Sequence, residues 1–148
     1  MKLLNDLTAI HQCVESTLDI RLADEHYADG RDEVLHVFLH EACHAAIARC
    51  VPWIHTLADD EHTALDEILA RLLEGEIGSR LGLRGHTAEE HVEELAMYPV
   101  KVSKEQFTCL QTEWQQRFWP ARDVAGMATW SLGYLRGQSG PGHPETPC

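Results

Sequence analysis

The sequence of 148 residues lacks any apolar run that approaches the length of a membrane span, and its first residues, Met1 to Asp6, soon turn polar. A helix needs about 20 consecutive apolar residues to cross a bilayer. A secretory signal needs an apolar segment behind a basic start. We therefore expect neither a transmembrane helix nor a signal peptide, and no membrane partner.

Basic residues are also scarce. The chain has 12 Lys and Arg against 24 Asp and Glu, which gives a formal net charge of −12. Proteins that bind nucleic acids or anionic membranes neutralise phosphates with Lys and Arg. This composition therefore argues against a nucleic-acid partner.

Closely spaced cysteine pairs are missing as well. The five cysteines are scattered and odd in number: Cys13, Cys43, Cys50, Cys109 and Cys148. Disulfide frameworks and zinc ribbons use even numbers or C-x-x-C spacing. The pattern favours reduced thiols, and with the absence of a signal peptide it favours the cytoplasm.

The most informative stretch is an H-E-x-x-H motif, formed by His40, Glu41 and His44 inside an apolar run from 37 to 47. On a helix, residues four apart share a face, so two imidazoles lie side by side while Glu41 sits about 100° round. Neutral imidazole is a good zinc ligand, and a carboxylate beside it can act as a base. The motif predicts two metal ligands and one general base on a buried helix.

On these residues the sequence resembles the zincin-like zinc metallopeptidases over residues 31–80. The metzincin continuation is not present, because Ala46, Ile47 and Cys50 follow where that subtype has a glycine and a third histidine. The resemblance is therefore to the gluzincin type. It implies Zn²⁺ as cofactor, metal-activated water, Glu41 as general base, and a peptide or protein substrate.

The gluzincin pattern takes its third ligand from a second helix, followed four residues later by an acid that orients a ligand imidazole. Carried over position by position, the resemblance makes His62 the third metal ligand and Asp66 the acid behind the ligands. His62 stands where the family has a glutamate. Glu61 and Glu67 are therefore kept as alternatives for the third ligand.

The other histidines and the second helix give further expectations. Leucines and Ile68 define an apolar face on the helix that starts at Asp59, and Glu67, Arg71 and Glu74 lie on the opposite side, which predicts a solvated face. We expect His86 and His91 on the surface. His36, one turn before His40, is a minor alternative as a ligand.

The remaining patterns predict a mainly α protein with five or six helices around the H-E-x-x-H helix and at most a short β-hairpin. Helical spacing over 3–18 predicts a first helix, and residues 20–22 allow one brief strand. A capping box from Thr87 to Glu90 opens one later helix, residues 103–106 open a further one, and Pro120 suits the first turn of another. Residues 1–137 form a single domain, and the composition of 138–148 predicts a disordered tail.

Two other functions are compatible with the motif. In one, Glu41 and His44 form half of a carboxylate-bridged dimetal bundle, with Asp59 and His62 as a loose second half. In the other, the domain is a non-catalytic zincin-like module that serves a protein partner.

Overall fold

The computed structural model describes residues 31–137, with side chains from Val34 onwards. Five α-helices follow one another: α1 Arg31–Cys50, α2 Asp59–Arg80, α3 Ala88–Ala96, α4 Lys104–Glu113 and α5 Val124–Leu135. Short 3₁₀ turns at Pro52–Thr56 and Trp119–Ala121 and a π turn at Trp114–Phe118 complete the chain. The described part contains no strand, so the prediction of a mainly α helical bundle is confirmed. The predicted helix over 3–18, the strand at 20–22 and the tail lie outside the described residues.

The H-E-x-x-H motif lies within α1. Leu39, Cys43 and Ile47 recur at intervals of four residues and are all buried in the core. The helix ends before Pro52, which starts the 3₁₀ turn that takes the chain towards α2. One side of α1 therefore packs in the core, and this packing fixes the direction of the other side chains of the helix.

Helix α2 is the centre of the bundle. It is in contact with α1, α3, α5 and the 3₁₀ turn at Pro52–Thr56. Its predicted apolar face is buried: Leu65, Ile68, Leu69, Leu72 and Leu73. Each such side chain contributes about 1.5–3 kcal/mol when fully removed from water. The helix runs past Leu73 to Arg80, and Gly82 follows with a left-handed φ of 72°.

The predicted solvated face of α2 is wrong. Glu67, Arg71 and Glu74 are only 8%, 4% and 8% exposed. Because helices pack on several sides of α2, both its apolar and its charged stripe face protein. Charged groups are rarely buried unless they are paired, so these three residues require partners inside the bundle.

The helices after α2 begin much as predicted. Thr87 forms the predicted capping box with Glu90, and the helix predicted to start at Ser103 begins there, with a second capping box between Ser103 and Gln106. Pro120 instead lies in a 3₁₀ turn, and Asp123 caps α5 through the Gly126 N–H. Three aromatic side chains lie in the core: Phe107, Trp114 and Phe118.

A long-range hydrogen bond ties the end of α4 to the central helix. The Trp114 indole Nε1 donates to the Leu72 carbonyl across 3.0 Å. Buried indole N–H groups normally find such a partner. The bond fixes the π turn against α2.

The structure also bears on the expected thiols and membrane spans. Cys43 and Cys50 are free thiols, but Cys109 is disulfide-bonded, so the expectation of reduced thiols is wrong at that position. This removes one of the two arguments for the cytoplasm. None of the helices between residues 31 and 137 is long and apolar enough to cross a membrane.

Candidate metal centre

A stripe of histidines runs along α1 beside its core stripe. His40 and His44 directly follow the buried Leu39 and Cys43, and His36 lies one turn before His40. All three histidines are partly buried. Since the core row packs against α2, a row about 100° away also meets α2 at its edge. The histidines therefore contact the charged stripe of α2.

The centre of this contact is a group of three metal-type donors. The Nε2 atoms of His40 and His44 are 3.0 Å apart. The Oε2 atom of Glu67 lies 3.6 Å from the His40 Nε2, and its Oε1 atom lies 3.7 Å from the His44 Nε2. One ligand atom from each residue falls within 4.8 Å of the others. Two imidazoles and one carboxylate thus converge on a single point between α1 and α2.

Each of the two imidazoles is held from behind by a carboxylate. The His44 Nδ1 is 2.9 Å from Asp66 Oδ2, and the His40 Nδ1 is 3.1 Å from Glu74 Oε2. A carboxylate accepts, so Nδ1 carries the proton and donates it. This assigns the tautomer in which Nε2 has the free lone pair. Metal-binding histidines are commonly oriented in this way.

The close approach of the two Nε2 atoms requires a positive charge between them. With both Nδ1 atoms donating, neutral rings would place two lone pairs 3.0 Å apart. Burial alone lowers the pKa of His40, but the hydrogen bonds to Glu67 and Glu74 outweigh burial and raise that pKa to about 9. A proton therefore fills the position in the metal-free protein. A metal ion would replace it and satisfy the same lone pairs.

The charge balance of the site also favours a cation. Three carboxylates, from Asp66, Glu67 and Glu74, surround the histidines, and Arg71 is the buried cation next to them. Burial raises the pKa of Glu67, but the hydrogen bonds from His40 and Arg71 outweigh it and lower the pKa to about 2. Glu67 is therefore ionised at any physiological pH. Arg71 is shared with Glu94, so negative charge is in excess when both imidazoles are neutral.

The donor set fits zinc. Nitrogen and oxygen ligands lie about 2.0–2.2 Å from Zn²⁺, so two ligands of a tetrahedral site are separated by about 3.3 Å. The 3.0 Å between the two Nε2 atoms is close to that value, whereas the 3.6 and 3.7 Å separations run to the two different oxygens of Glu67. His40, His44 and Glu67 would hold the ion once one Glu67 oxygen turns towards both imidazoles.

The structure brings together His40, His44 and Asp66, which the sequence placed in one site. It places His62 elsewhere, with its ring 5.2 Å from that of His55. Glu61, the first alternative, pairs with Arg136 across 2.6 and 2.8 Å. Within residues 31–137 the third donor of the group is Glu67, the second alternative.

The role of Glu74 was missed, although the sequence contains a signal for it. Glu67, Ala70 and Glu74 recur at i, i+3 and i+7, and so share one face of α2. A small residue between two acids is what a close helix contact requires, and Ala70 is fully buried. Glu74 also accepts from the His36 Nδ1 across 3.1 Å, so His36 contacts the centre through a carboxylate.

The two remaining residues of the motif differ in their surroundings. Glu41 is partly buried and directly follows His40 on α1. Cys43 is 1% exposed, and burial, followed by the nearby charge of Glu74, raises the pKa of its thiol to about 12. A thiol of this pKa stays protonated in the metal-free protein.

Comparisons with known proteins add no relative to this description. No family model matches the chain, and neither a curated protein nor a solved structure matches it significantly.

Proposed function

We propose that the protein binds one zinc ion through His40, His44 and Glu67 and acts as a zinc-dependent hydrolase of peptide bonds. The observation that carries the proposal is the geometry of the two imidazoles. Their Nε2 atoms meet at Glu67, while Asp66 and Glu74 hold the two Nδ1 atoms. A pair of histidines that were only core residues would not need carboxylates on both sides.

The number of donors favours a catalytic over a structural site. Structural zinc sites close with four protein ligands, whereas catalytic sites have three and keep one position open. Among residues 31–137, the group between α1 and α2 has three donors, two histidines and a glutamate. When bound there, zinc supplies Lewis acidity, which lowers the pKa of water and polarises a carbonyl group.

The protein's own residues have distinct tasks in this proposal. Asp66 and Glu74 fix the ring orientation and tautomer of His44 and His40. Arg71 pairs with Glu67 and orients its carboxylate. Glu41 is the proposed general base, because it is the carboxylate that directly follows His40 on α1. It would take the proton of the attacking water and pass it to the leaving amine.

The first test is elemental analysis of the purified full-length chain beside two variants, His40→Ala and the control His55→Ala. His55 is an exposed histidine outside the donor group. We expect the wild type and the control to contain one more equivalent of zinc than His40→Ala. Zinc content that is unaffected by His40→Ala would overturn the proposal.

The second test separates a hydrolase from a metal-binding module. A mixture of peptides is incubated with the zinc-loaded wild type and with Glu41→Gln, and cleavage is followed by mass spectrometry. The catalytic role predicts cleavage by the wild type alone, with equal zinc content in both proteins. Absence of cleavage by the zinc-loaded wild type would leave a non-catalytic zinc domain.

A further inference from the structure

A second cluster of donors lies outside the centre described above, and we propose that it is a second divalent-metal site. It consists of His86, in the loop before α3, and of His91 and Glu94 on α3. One ligand atom from each falls within 4.8 Å of the other two. The chemistry of the donors, two imidazoles and a carboxylate, suits Zn²⁺ among the common divalent ions.

The donors converge because α3 begins where it does. Thr87 caps the helix, so His86 precedes the first turn, and His91 and Glu94 are three residues apart on one face. The His86 Nδ1 is 3.4 Å from Glu94 Oε1, and the rings of His86 and His91 are 5.4 Å apart. Nothing in helix formation alone requires two histidines and a glutamate here.

The strongest single observation is an unsatisfied atom. His91 is only 4% exposed, and its Nδ1 has no hydrogen-bond partner within the described part of the chain. A buried polar atom without a partner destabilises the folded state. The expectation of a surface histidine is therefore wrong at His91, and a ligand on its ring is a direct reason for keeping an imidazole in this place.

Space for a ligand is present beside the cluster. A cavity of about 150 Å³ is lined by both cluster histidines and extends to His36, Arg71 and Trp114. A site with three protein donors needs room for water to complete its coordination. The cavity places that room on the open side of His86 and His91.

Glu94 can serve this site without giving up its existing partner. Its Oε1 faces His86, whereas its Oε2 lies 3.4 Å from the Arg71 Nε. One carboxylate oxygen is thus available to a metal while the other keeps the ion pair. Arg71 also pairs with Glu67, so a single guanidinium contacts a donor of each centre.

The experiment is a zinc titration of the metal-free full-length chain, followed by competition with a chromophoric chelator. Five proteins are compared: wild type, His40→Ala, His86→Ala, Glu94→Gln and the control His55→Ala. His86 is preferred to His91 for substitution because it is less buried. Glu94→Gln is a second variant, and circular dichroism checks that each protein is folded.

We expect two equivalents of zinc in the wild type and in His55→Ala, and one in His40→Ala, in His86→Ala and in Glu94→Gln. A single equivalent that is lost in His40→Ala and retained in His86→Ala would overturn the second site and leave the first. A single equivalent lost only in His86→Ala and Glu94→Gln would support the second site and overturn the first. Binding of no zinc by the folded wild type would overturn both.

Discussion

The two histidine clusters of this molecule differ in how their rings are held. At the α1–α2 contact, the Nδ1 atoms of His40 and His44 each contact a carboxylate, and the two histidines form a donor group with Glu67. At α3, the buried His91 has no partner for Nδ1 among residues 31–137. Both clusters contain two histidines and a glutamate, so the comparison isolates the effect of support around the donors.

The difference indicates that the histidines of the α1–α2 cluster are oriented before a metal binds, whereas His91 at α3 is not. Ligands that are already oriented lose little freedom when they bind a metal, whereas unsupported ligands must be ordered by the metal itself. We therefore expect the centre at His40, His44 and Glu67 to be the tighter site. The site at His86, His91 and Glu94 should fill second.

The largest expected effect comes from removing the third donor of the first centre. Glu67→Gln keeps the shape of the side chain but removes the ionised carboxylate, so high-affinity zinc binding should be lost. His62→Ala should leave that binding intact, because His62 lies with His55. Isothermal titration of both variants measures this. Loss of zinc in His62→Ala with retention in Glu67→Gln would restore the ligand that the sequence favoured.

The pH dependence of stability should separate the two clusters in the metal-free protein. Burial, with the nearby charges of His86 and Arg71, lowers the pKa of His91 from 6.5 to about 4. The neutral ring in the folded state then contributes stability above pH 6.5, which is lost as the pH falls towards 4. The raised pKa of His40 acts in the opposite direction: its contribution is complete below pH 6.5 and is lost as the pH rises through about 9.

Stability should therefore peak near pH 6.5, with each limb worth up to about 3 kcal/mol. Urea unfolding in the presence of EDTA, followed from pH 5 to pH 9, measures both limbs. The matched variants are His91→Gln, which should flatten the acid limb, and His40→Asn, which should flatten the alkaline limb. A stability profile that is unchanged in both variants would contradict the assignment.

A smaller effect is expected from the carboxylates behind the rings. Asp66→Asn and Glu74→Gln keep the side-chain size but remove the charge that fixes the histidine tautomer. Loss of such a partner typically weakens metal binding about 10–100-fold. Zinc competition assays on the two variants measure the change. If neither variant weakens binding, the support that distinguishes the two clusters has no energetic role.

The smallest effect is expected at Glu61, the other acid that the sequence allows as the third metal ligand. Its carboxylate pairs with Arg136 on the surface, where ion pairs contribute little. Glu61→Gln should leave zinc affinity unchanged. A marked loss of zinc in this variant would place the third ligand at the start of α2.

Much of the architecture follows from local sequence. The periodicity of Leu39, Cys43 and Ile47 places α1 correctly, and the capping boxes at Thr87 and Ser103 fix where α3 and α4 begin. These features depend on residues within one or two turns of each other. Local chemistry alone determines them.

The charged face of α2 could not be predicted in the same way. Periodicity distinguishes an apolar from a polar face, but it does not show whether a polar face meets water or another polar surface. Glu67 and Glu74 are buried because the histidines of α1 lie opposite them, 34 to 38 residues away for Glu74. The burial of His91 depends likewise on Phe107, whose ring lies 5.0 Å away on α4.

The labelling rate of Cys43, the cysteine inside the motif, reports how often the core around α1 opens. Cys43 is sealed between α1 and the core with a thiol pKa near 12, whereas Cys50, at the end of the same helix, is exposed. An alkylating reagent therefore reaches Cys43 only when the core around α1 opens. The ratio of the two labelling rates reports how often this opening occurs, without any knowledge of the substrate.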